Sequence, residues 1–306
     1  MKLGWGLGAG FWGLDSRFWG LGALTPRAAC AFHRRTILLE LQLGNIVQLA
    51  YRTWGEPTNP PLLLLHGFMG CAEDWDAIAN NLSAEFYCIA PDLPGHGDSP
   101  FDAALHGNFE NYADAVTAFL DQLNQTTVAA IGYSMGGRIL LALALRHPDR
   151  FSKIILESAS PGIANAKGRE ARRQSDRRLA DRVNKEALST LLDEWYAQPL
   201  FGEIKHAPGY AELLRRRQQQ YPHKLALVLA ACGTGEQTPL WNELPTLKAD
   251  TLLIYGERDR KYKEVTAEMQ RHCNRLRTVA VAGCSHAAHV ENSTLFIKTC
   301  RTFLVT

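Results

Sequence analysis

Short apolar runs alternate with segments of helical periodicity along most of the chain, from residue 36 onward. The run at 61–67 (PLLLLHG) is apolar at nearly every position, which is typical of a strand buried on both faces of a sheet. The predicted strands are residues 61–67, 86–92, 127–134, 152–160, 250–259 and 277–286, preceded by a hairpin of 36–42 and 45–55. The predicted helices are residues 72–82, 109–123, 135–147 and 293–305. This alternation predicts an α/β fold with a mostly parallel central sheet and helices on both faces.

The alternation stops after residue 160. Residues 161–245 are charged and helical in pattern, without a strand-like run, and strands resume at residue 250. Ligand sites of parallel sheets lie beyond the carboxyl ends of the strands. A helical insert between two strands is therefore predicted to form a lid over that edge. We expect one domain, residues 36–306, with the lid inserted at about 161–245.

The first 35 residues differ from the rest, because the tripeptide WGL recurs there three times with a seven-residue period. Asp15 and Arg17 interrupt the apolar stretch, which is too short to span a bilayer. The single lysine near the amino end also makes it a poor signal peptide. We expect residues 1–35 to be a disordered, dispensable, low-complexity extension with no stable membrane insertion.

Composition narrows the class of protein. The 306 residues are 46% apolar and 21% charged, as in a soluble globular protein. A net charge of +2 gives no broad basic field, so nucleic acid is not an expected partner. The seven cysteines are scattered and form no C-x-x-C pair, which favours reduced thiols in the cytoplasm and argues against zinc. Nothing in the sequence indicates an oligomeric state.

A G-x-S-x-G pentapeptide, residues 132–136, lies between a predicted strand and a predicted helix. In this position it forms a sharp, strained turn that exposes the Ser134 hydroxyl at the end of the strand. The turn also directs the Met135 N–H, at the start of the helix, toward any anion that forms nearby. Taken alone, the pentapeptide leaves open a glycine-rich turn that carries a surface serine.

Three further segments lie where a reactive serine would need them. Phe68 follows a strand, in the loop 66–70 (HGFMG), and its N–H is a candidate second donor for an oxyanion hole. Asp259 and His286 each follow one of the last two strands. The chain order Ser134, Asp259, His286 predicts a catalytic triad of these residues.

Together with the loop 91–99 (PDLPGHGDS), these motifs make residues 36–306 resemble the α/β-hydrolase superfamily. The resemblance implies the α/β-hydrolase fold, but the fold alone does not fix a reaction. In that superfamily the backbone of the HG segment is used, so His66 is expected to support the turn. Ser285 stands where relatives usually have glycine, next to the predicted catalytic histidine.

Other ionisable residues compete for these roles. Glu157 and Glu257 are rival carboxylates, which we expect to be solvated or bonded to loops. His286 and His289 form an H-x-x-H pair, but no third ligand is evident, so no metal site is predicted.

A finer resemblance is to the 2-succinyl-6-hydroxy-2,4-cyclohexadiene-1-carboxylate synthase family. It depends on the segments GYSMGGR (132–138), LESASPG (156–162), ARRQSDR (171–177), DEWYAQPLF (193–201), RQQQYP (217–222) and GTGEQTPLW (233–241). Arg173 stands where some relatives have an aromatic residue. The resemblance implies a lyase of menaquinone or phylloquinone biosynthesis that eliminates pyruvate from a small tricarboxylate. It implies no metal or organic cofactor.

The same resemblance implies roles for the candidate residues. Ser134 would act as a base rather than an acylated nucleophile, assisted by His286 and Asp259. The Phe68 and Met135 N–H groups would hold the enolate oxygen. Arginine suits the carboxylates of the substrate. The predicted substrate-binding residues are Tyr133, Arg138, Arg172, Trp195 and Arg217. The arginines expected on solvated helix faces are Arg169, Arg177, Arg178, Arg215 and Arg216.

Two other classes of function remain open at this point. A carboxylester or carbon–carbon bond hydrolase would use the same three residues to form an acyl adduct, with turnover of simple aryl esters. A ligand-binding module on this fold would not need an intact serine, histidine and aspartate.

Overall fold

The computed structural model describes residues 48–306. Its strands are β1 (Tyr51–Trp54), β2 (Pro61–Leu65), β3 (Tyr87–Pro91), β4 (Val128–Tyr133), β5 (Phe151–Glu157), β6 (Asp250–Gly256) and β7 (Arg277–Val281). Its α-helices are α1 (Asp76–Leu82), α2 (Ala103–His106), α3 (Phe109–Gln122), α4 (Met135–Arg146), α5 (Ala166–Lys185), α6 (Leu188–Trp195), α7 (Tyr210–Gln218), α8 (Pro222–Cys232), α9 (Arg260–His272), α10 (Ala288–Glu291) and α11 (Ser293–Val305). Short 3-10 helices span Ala72–Trp75, Pro199–Phe201, Ile204–His206 and Trp241–Thr246.

The seven strands of this part of the chain form one sheet, in the order β1-β3-β2-β4-β5-β6-β7. Strand β1 is antiparallel to β3, and the other neighbouring strands are parallel. The predicted mostly parallel α/β sheet is therefore confirmed. Two predictions, the hairpin strand 36–42 and the disordered extension 1–35, lie outside the described residues.

Strand β2 shows how the sheet divides the core. Its four leucines, Leu62 to Leu65, are completely buried. Leu63 and Leu65 pack with residues of α3 and α4 on one face, whereas Leu62 and Leu64 pack with residues of α1 and α11 on the other. Because both faces are covered, the strand is uniformly apolar rather than alternating.

Helix α9 was not predicted from the sequence. It buries only Tyr262, Thr266 and Met269, at helical spacing, and its remaining positions are mostly charged. Such a narrow apolar stripe gives a weak periodic signal. The helix matters for the site because Asp259 caps it, with Oδ1 accepting the Tyr262 N–H at 3.0 Å.

The segment 161–245, called here the helical insertion, contains α5 to α8 and lies between β5 and β6. It contacts segments that come directly after the carboxyl ends of parallel strands. Arg216 of α7 pairs with Asp74, after β2, at 2.7 Å. The Cys232 carbonyl, at the end of α8, accepts a hydrogen bond from Arg138 of α4 at 2.8 Å.

Two features of the described residues concern membrane-spanning helices and disulfide bonds. Within residues 48–306, no helix is both long and apolar enough to cross a bilayer. The six cysteines in this range are free and buried.

The turn at Ser134 joins β4 to α4 in a strained conformation, with φ 50° and ψ −105°. The Ser134 N–H donates to the Glu157 carbonyl of β5 at 2.8 Å. A Cβ at Gly136 would lie 2.3 Å from the Leu65 carbonyl oxygen, and one at Gly132 would lie 2.7 Å from the Gly136 oxygen. The two glycines of the motif are thus required by close backbone approach.

We expect Gly136→Ala to lower the free energy of unfolding by about 3 kcal/mol, because the new methyl group meets rigid backbone oxygens of Leu65 and His66. Urea unfolding would measure the loss. Gly209→Ala is the matched control, since its Cβ would lie 3.3 Å from the Val290 side chain and 3.5 Å from the Val290 carbonyl oxygen, with no closer contact. Equal unfolding midpoints for the two variants would contradict this explanation of the motif.

Candidate active site

Three predicted residues, each placed after a different strand, form a hydrogen-bonded chain. His286 Nε2 lies 3.2 Å from Ser134 Oγ, and His286 Nδ1 lies 3.0 Å from Asp259 Oδ2. His286 and Asp259 are buried, whereas Ser134 is partly exposed. With Nδ1 donating to the Asp259 carboxylate, Nε2 is left to accept the serine proton.

The ring of His286 is held by aromatic neighbours and by the local backbone. Ring centroids of Tyr262 and Tyr133 lie 4.9 and 5.4 Å from that of His286. On either side of the histidine, the Ser285 and Ala287 N–H groups donate to the two oxygens of Glu291, at 2.9 and 3.3 Å. These contacts keep His286 within reach of the serine.

Ser285, the residue before the histidine, is accommodated by a glycine of the helical insertion. A Cβ at Gly202, which has φ +47°, would lie 2.2 Å from Ser285 Oγ. Gly202 belongs to the helical insertion, so the insertion packs directly on the residue before the histidine. Ser285 therefore fits because the facing residue has no side chain.

The His66 side chain supports the turn, as predicted, because it hydrogen-bonds to the backbone of two loops. Its Nε2 accepts the Leu93 N–H at 2.9 Å, and its Nδ1 lies 2.8 Å from the Gly67 carbonyl oxygen. Burial lowers the pKa of His66 to about 4, so the ring is neutral at physiological pH. It braces the loop that carries Phe68.

A cavity of about 330 Å³ opens beside Ser134. The predicted residues that line it are Phe68, Tyr133, Ser134, Met135, Arg138, Arg172, Trp195, Arg217 and His286. Asp259 is behind His286 and does not line it. Phe201, Lys261 and Tyr262 also line the cavity and were not identified from the sequence. Only Lys261 and Tyr262 could have been found from the sequence, because they follow Asp259 by two and three residues.

Arg138 and Arg172 differ in whether a carboxylate of the protein compensates their positive charge. The Arg138 guanidinium donates to the Cys232 carbonyl at 2.8 Å and to Gln237 Oε1 at 3.2 Å. Both acceptors are uncharged, and within residues 48–306 the ion pairs include no carboxylate partner for Arg138. Arg172 shares its charge with Asp176, at 2.7 Å.

Comparisons with known proteins identify the family of the chain. The alpha/beta hydrolase fold family matches residues 60–293. The chain is 33% identical over 238 residues to the 2-succinyl-6-hydroxy-2,4-cyclohexadiene-1-carboxylate synthase of Citrobacter koseri, covering 78% of this chain and 91% of that protein. The chain belongs to this synthase family, within the alpha/beta hydrolase fold.

Two further proteins are similar to this chain over most of its length. The structure of MenH from S. aureus is 29% identical with a TM-score of 0.79, and the match covers 83% of this chain and 97% of that one. Protein PHYLLO, chloroplastic, of Arabidopsis thaliana is 29% identical over 259 residues. That match covers 79% of this chain but only 15% of the Arabidopsis protein.

Arg217 of this synthase-family member is buried and already paired. Its Nη2 lies 2.7 Å from Asp74 Oδ2, and its Nε donates to the Tyr196 hydroxyl at 3.3 Å. Burial alone would raise the pKa of Asp74, but the attraction of Arg217 and Arg216 holds it well below its usual range. Asp74 was not identified from the sequence, because nothing near it in the chain indicates two arginine partners.

Two predictions for the remaining arginines were wrong. Arg216, expected on a solvated face, is buried against Asp74 because α7 packs on the loop after β2. Arg169 is partly buried and donates to the carbonyls of Ile163 and Ala164. The three that are exposed, as predicted, are Arg177, Arg178 and Arg215.

The rival carboxylates also differ from each other. Glu257 bonds to a loop, accepting the Gly283 N–H at 3.0 Å, as expected. Glu157 is instead completely buried, and its carboxylate lies 2.9 Å from His289 Nδ1. The expectation that Glu157 is solvated or bonded to a loop was wrong, because His289 of α10 covers the end of β5 and binds its carboxylate. His289 is thereby engaged, and the described residues hold no cluster of three potential metal ligands.

We expect Asp74→Asn to lower the free energy of unfolding by about 3–5 kcal/mol, since it leaves the buried Arg217 without a counter-charge and Arg216 with only the exposed Glu212. The depressed pKa of Asp74 adds a pH effect. Its stabilisation is complete above the unfolded pKa of about 3.9 and is lost as pH falls toward the folded value. The variant should therefore show a smaller acid-dependent loss of stability below about pH 4 than the parent.

Urea unfolding at several pH values tests this prediction. Glu212→Gln is the matched control, because it removes the exposed pair of Glu212 with Arg215 and leaves the buried Arg216 paired with Asp74. Exposed pairs contribute little to stability. A similar small loss in both variants would show that Asp74 is not the counter-charge of the two arginines.

Proposed function

We propose that the chain is a carbon–oxygen lyase. It eliminates pyruvate from 2-succinyl-5-enolpyruvyl-6-hydroxy-3-cyclohexene-1-carboxylate and gives 2-succinyl-6-hydroxy-2,4-cyclohexadiene-1-carboxylate. The observation that carries the proposal is the Ser134–His286–Asp259 chain, which opens on a cavity lined by cationic side chains. Membership of the synthase family supplies the substrate.

The change from substrate to product fixes which bonds must move. The proton on ring carbon 2, beside the succinyl ketone, is removed, and a double bond forms between carbons 2 and 3. The existing double bond shifts to carbons 4 and 5, and the carbon–oxygen bond to the enolpyruvyl group at carbon 5 breaks. The enolpyruvate that leaves takes up a proton and becomes pyruvate. The reaction thus needs a base, an acid and stabilisation of an enolate.

The hydrogen-bonded residues can supply the base and the acid. Ser134 Oγ would take the ring proton while its own proton passes to His286 Nε2, and Asp259 would stabilise the imidazolium. The same pair can return a proton to the leaving enolpyruvate. The N–H groups of Phe68 and Met135, two residues at the cavity wall, are the candidate donors to the enolate oxygen.

The substrate carries three carboxylates, which explains why cationic side chains line the cavity. Arg138 has no carboxylate partner among the described residues, so its charge is available to a ligand. Arg172 is partly compensated by Asp176, and Arg217 is compensated by Asp74. Trp195 and Tyr133 would pack against the apolar side of the substrate.

The cellular setting follows from the reaction class. The product is an intermediate of menaquinone or phylloquinone biosynthesis, and the scheme uses no metal or organic cofactor. We place the enzyme in the cytoplasm, because all six cysteines of residues 48–306 are free thiols.

Pyruvate release from the enolpyruvyl substrate tests the proposal. We expect Ser134→Ala to lower kcat by several orders of magnitude, because the members of the chain act as a unit. Arg138→Ala should chiefly raise KM, since it removes a carboxylate contact. Arg178→Ala, on the exposed face of α5, is the control and should behave like the parent.

A hydrolase would differ from the lyase in both its reaction with esters and its release of pyruvate. An acyl-enzyme burst with simple aryl esters, without pyruvate release from the enolpyruvyl substrate, would show that Ser134 is a nucleophile of a hydrolase. Unchanged pyruvate release in Ser134→Ala would show that the reaction takes place elsewhere.

A further inference from the structure

Lys261 lines the cavity from the first turn of α9, two residues after Asp259. Its Nζ lies 5.2 Å from the centroid of the Tyr262 ring, which in turn lies 4.9 Å from that of His286. The residue as a whole is exposed, so it borders the opening of the cavity. The ammonium group is therefore close to the reacting side chains but remains accessible to a ligand.

Lys261 forms no ion pair with a carboxylate within residues 48–306. Asp259 is the nearby carboxylate that attracts its ammonium group. The neighbouring Asp259 is already engaged, because one oxygen accepts the Tyr262 N–H and the other faces His286. Although the residue as a whole is exposed, desolvation of its ammonium group at the cavity wall and the nearby Arg172 guanidinium lower the pKa of Lys261, and they outweigh the opposing attraction of Asp259.

The cationic residues of the cavity thus fall into two groups. Arg217 and Arg172 have carboxylate partners in Asp74 and Asp176. Arg138 and Lys261 have none among the described residues. Like charges held together without a counter-ion repel each other, and an anionic ligand that enters between them relieves the repulsion.

We propose that Lys261 binds one carboxylate of the substrate and, with Arg138, selects polyanionic substrates. The inference rests on the proposed function, because it concerns the same site. Lysine presents a compact charge with three donors, which can follow a flexible carboxylate arm at the opening of the cavity. Lys261 is thus a specificity-determining residue, and proton transfer is left to Ser134 and His286.

Kinetics of pyruvate release with Lys261→Gln, Lys261→Arg and the parent test this role. Loss of one charge-assisted hydrogen bond corresponds to about a tenfold or greater rise in KM. We expect that rise in Lys261→Gln, with kcat changed less than about threefold, and recovery of most of the affinity in Lys261→Arg. Lys263→Gln, an exposed change on the same helix, controls for loss of surface charge and should leave KM unaltered. A normal KM in Lys261→Gln, or a loss confined to kcat, would overturn the proposal.

Binding of an unreactive tricarboxylate separates this inference from the proposed function. Calorimetry with tricarballylate and with its trimethyl ester measures charge selection without any turnover. We expect the parent to bind the trianion better than the ester, and Lys261→Gln to lose about tenfold of that affinity. Absence of pyruvate release in the parent would reject the lyase but leave this comparison intact. Equal binding of trianion and ester, or equal affinity in parent and variant, would reject the role of Lys261.

Discussion

The geometry of the site depends on how closely three backbone segments approach each other at Ser134. Gly136 sits against the carbonyl oxygens at the end of β2, and the Ser134 N–H is bonded to the Glu157 carbonyl of β5. The serine is thus fixed by main-chain contacts to both neighbouring strands, in a backbone conformation that is strained for a residue with a side chain. Its hydroxyl can then meet a histidine carried by a loop from the far end of the sheet.

The second determinant is the distribution of counter-charges around the cavity. Asp74 fixes Arg216 and Arg217, so these arginines join the helical insertion to the loop after β2. A buried charge with a partner is tolerated, whereas removal of that partner leaves a large desolvation cost. Arg138 and Lys261 differ from these arginines, because no carboxylate of the described residues forms an ion pair with them. Cationic side chains therefore join parts of the fold in one wall of the cavity, and in another wall they are left for the anion binding that we propose.

Much of this could be predicted from the sequence. The uniformly apolar run of β2 and the G-x-S-x-G turn after β4 indicated a covered parallel sheet, and Ser134, Asp259 and His286 could be chosen because each follows a strand. Asp74 and Lys261 could not be chosen in this way, since their importance comes from partners distant in the chain or from the absence of partners. Arg216 and Glu157 were misjudged for the same reason. A polar residue in a charged segment gives no sign of burial until the element that covers it is known.

The contact between Gly202 and Ser285 has a consequence for how this chain can vary. Because the serine hydroxyl occupies the space that a side chain at position 202 would need, the two positions are sterically coupled. A larger residue at position 202 would need both a smaller residue at position 285 and a change in the backbone, because Gly202 has a φ of +47°. A chimera that joins Ser285 to a segment with a side chain at position 202 would therefore bring a collision beside the histidine.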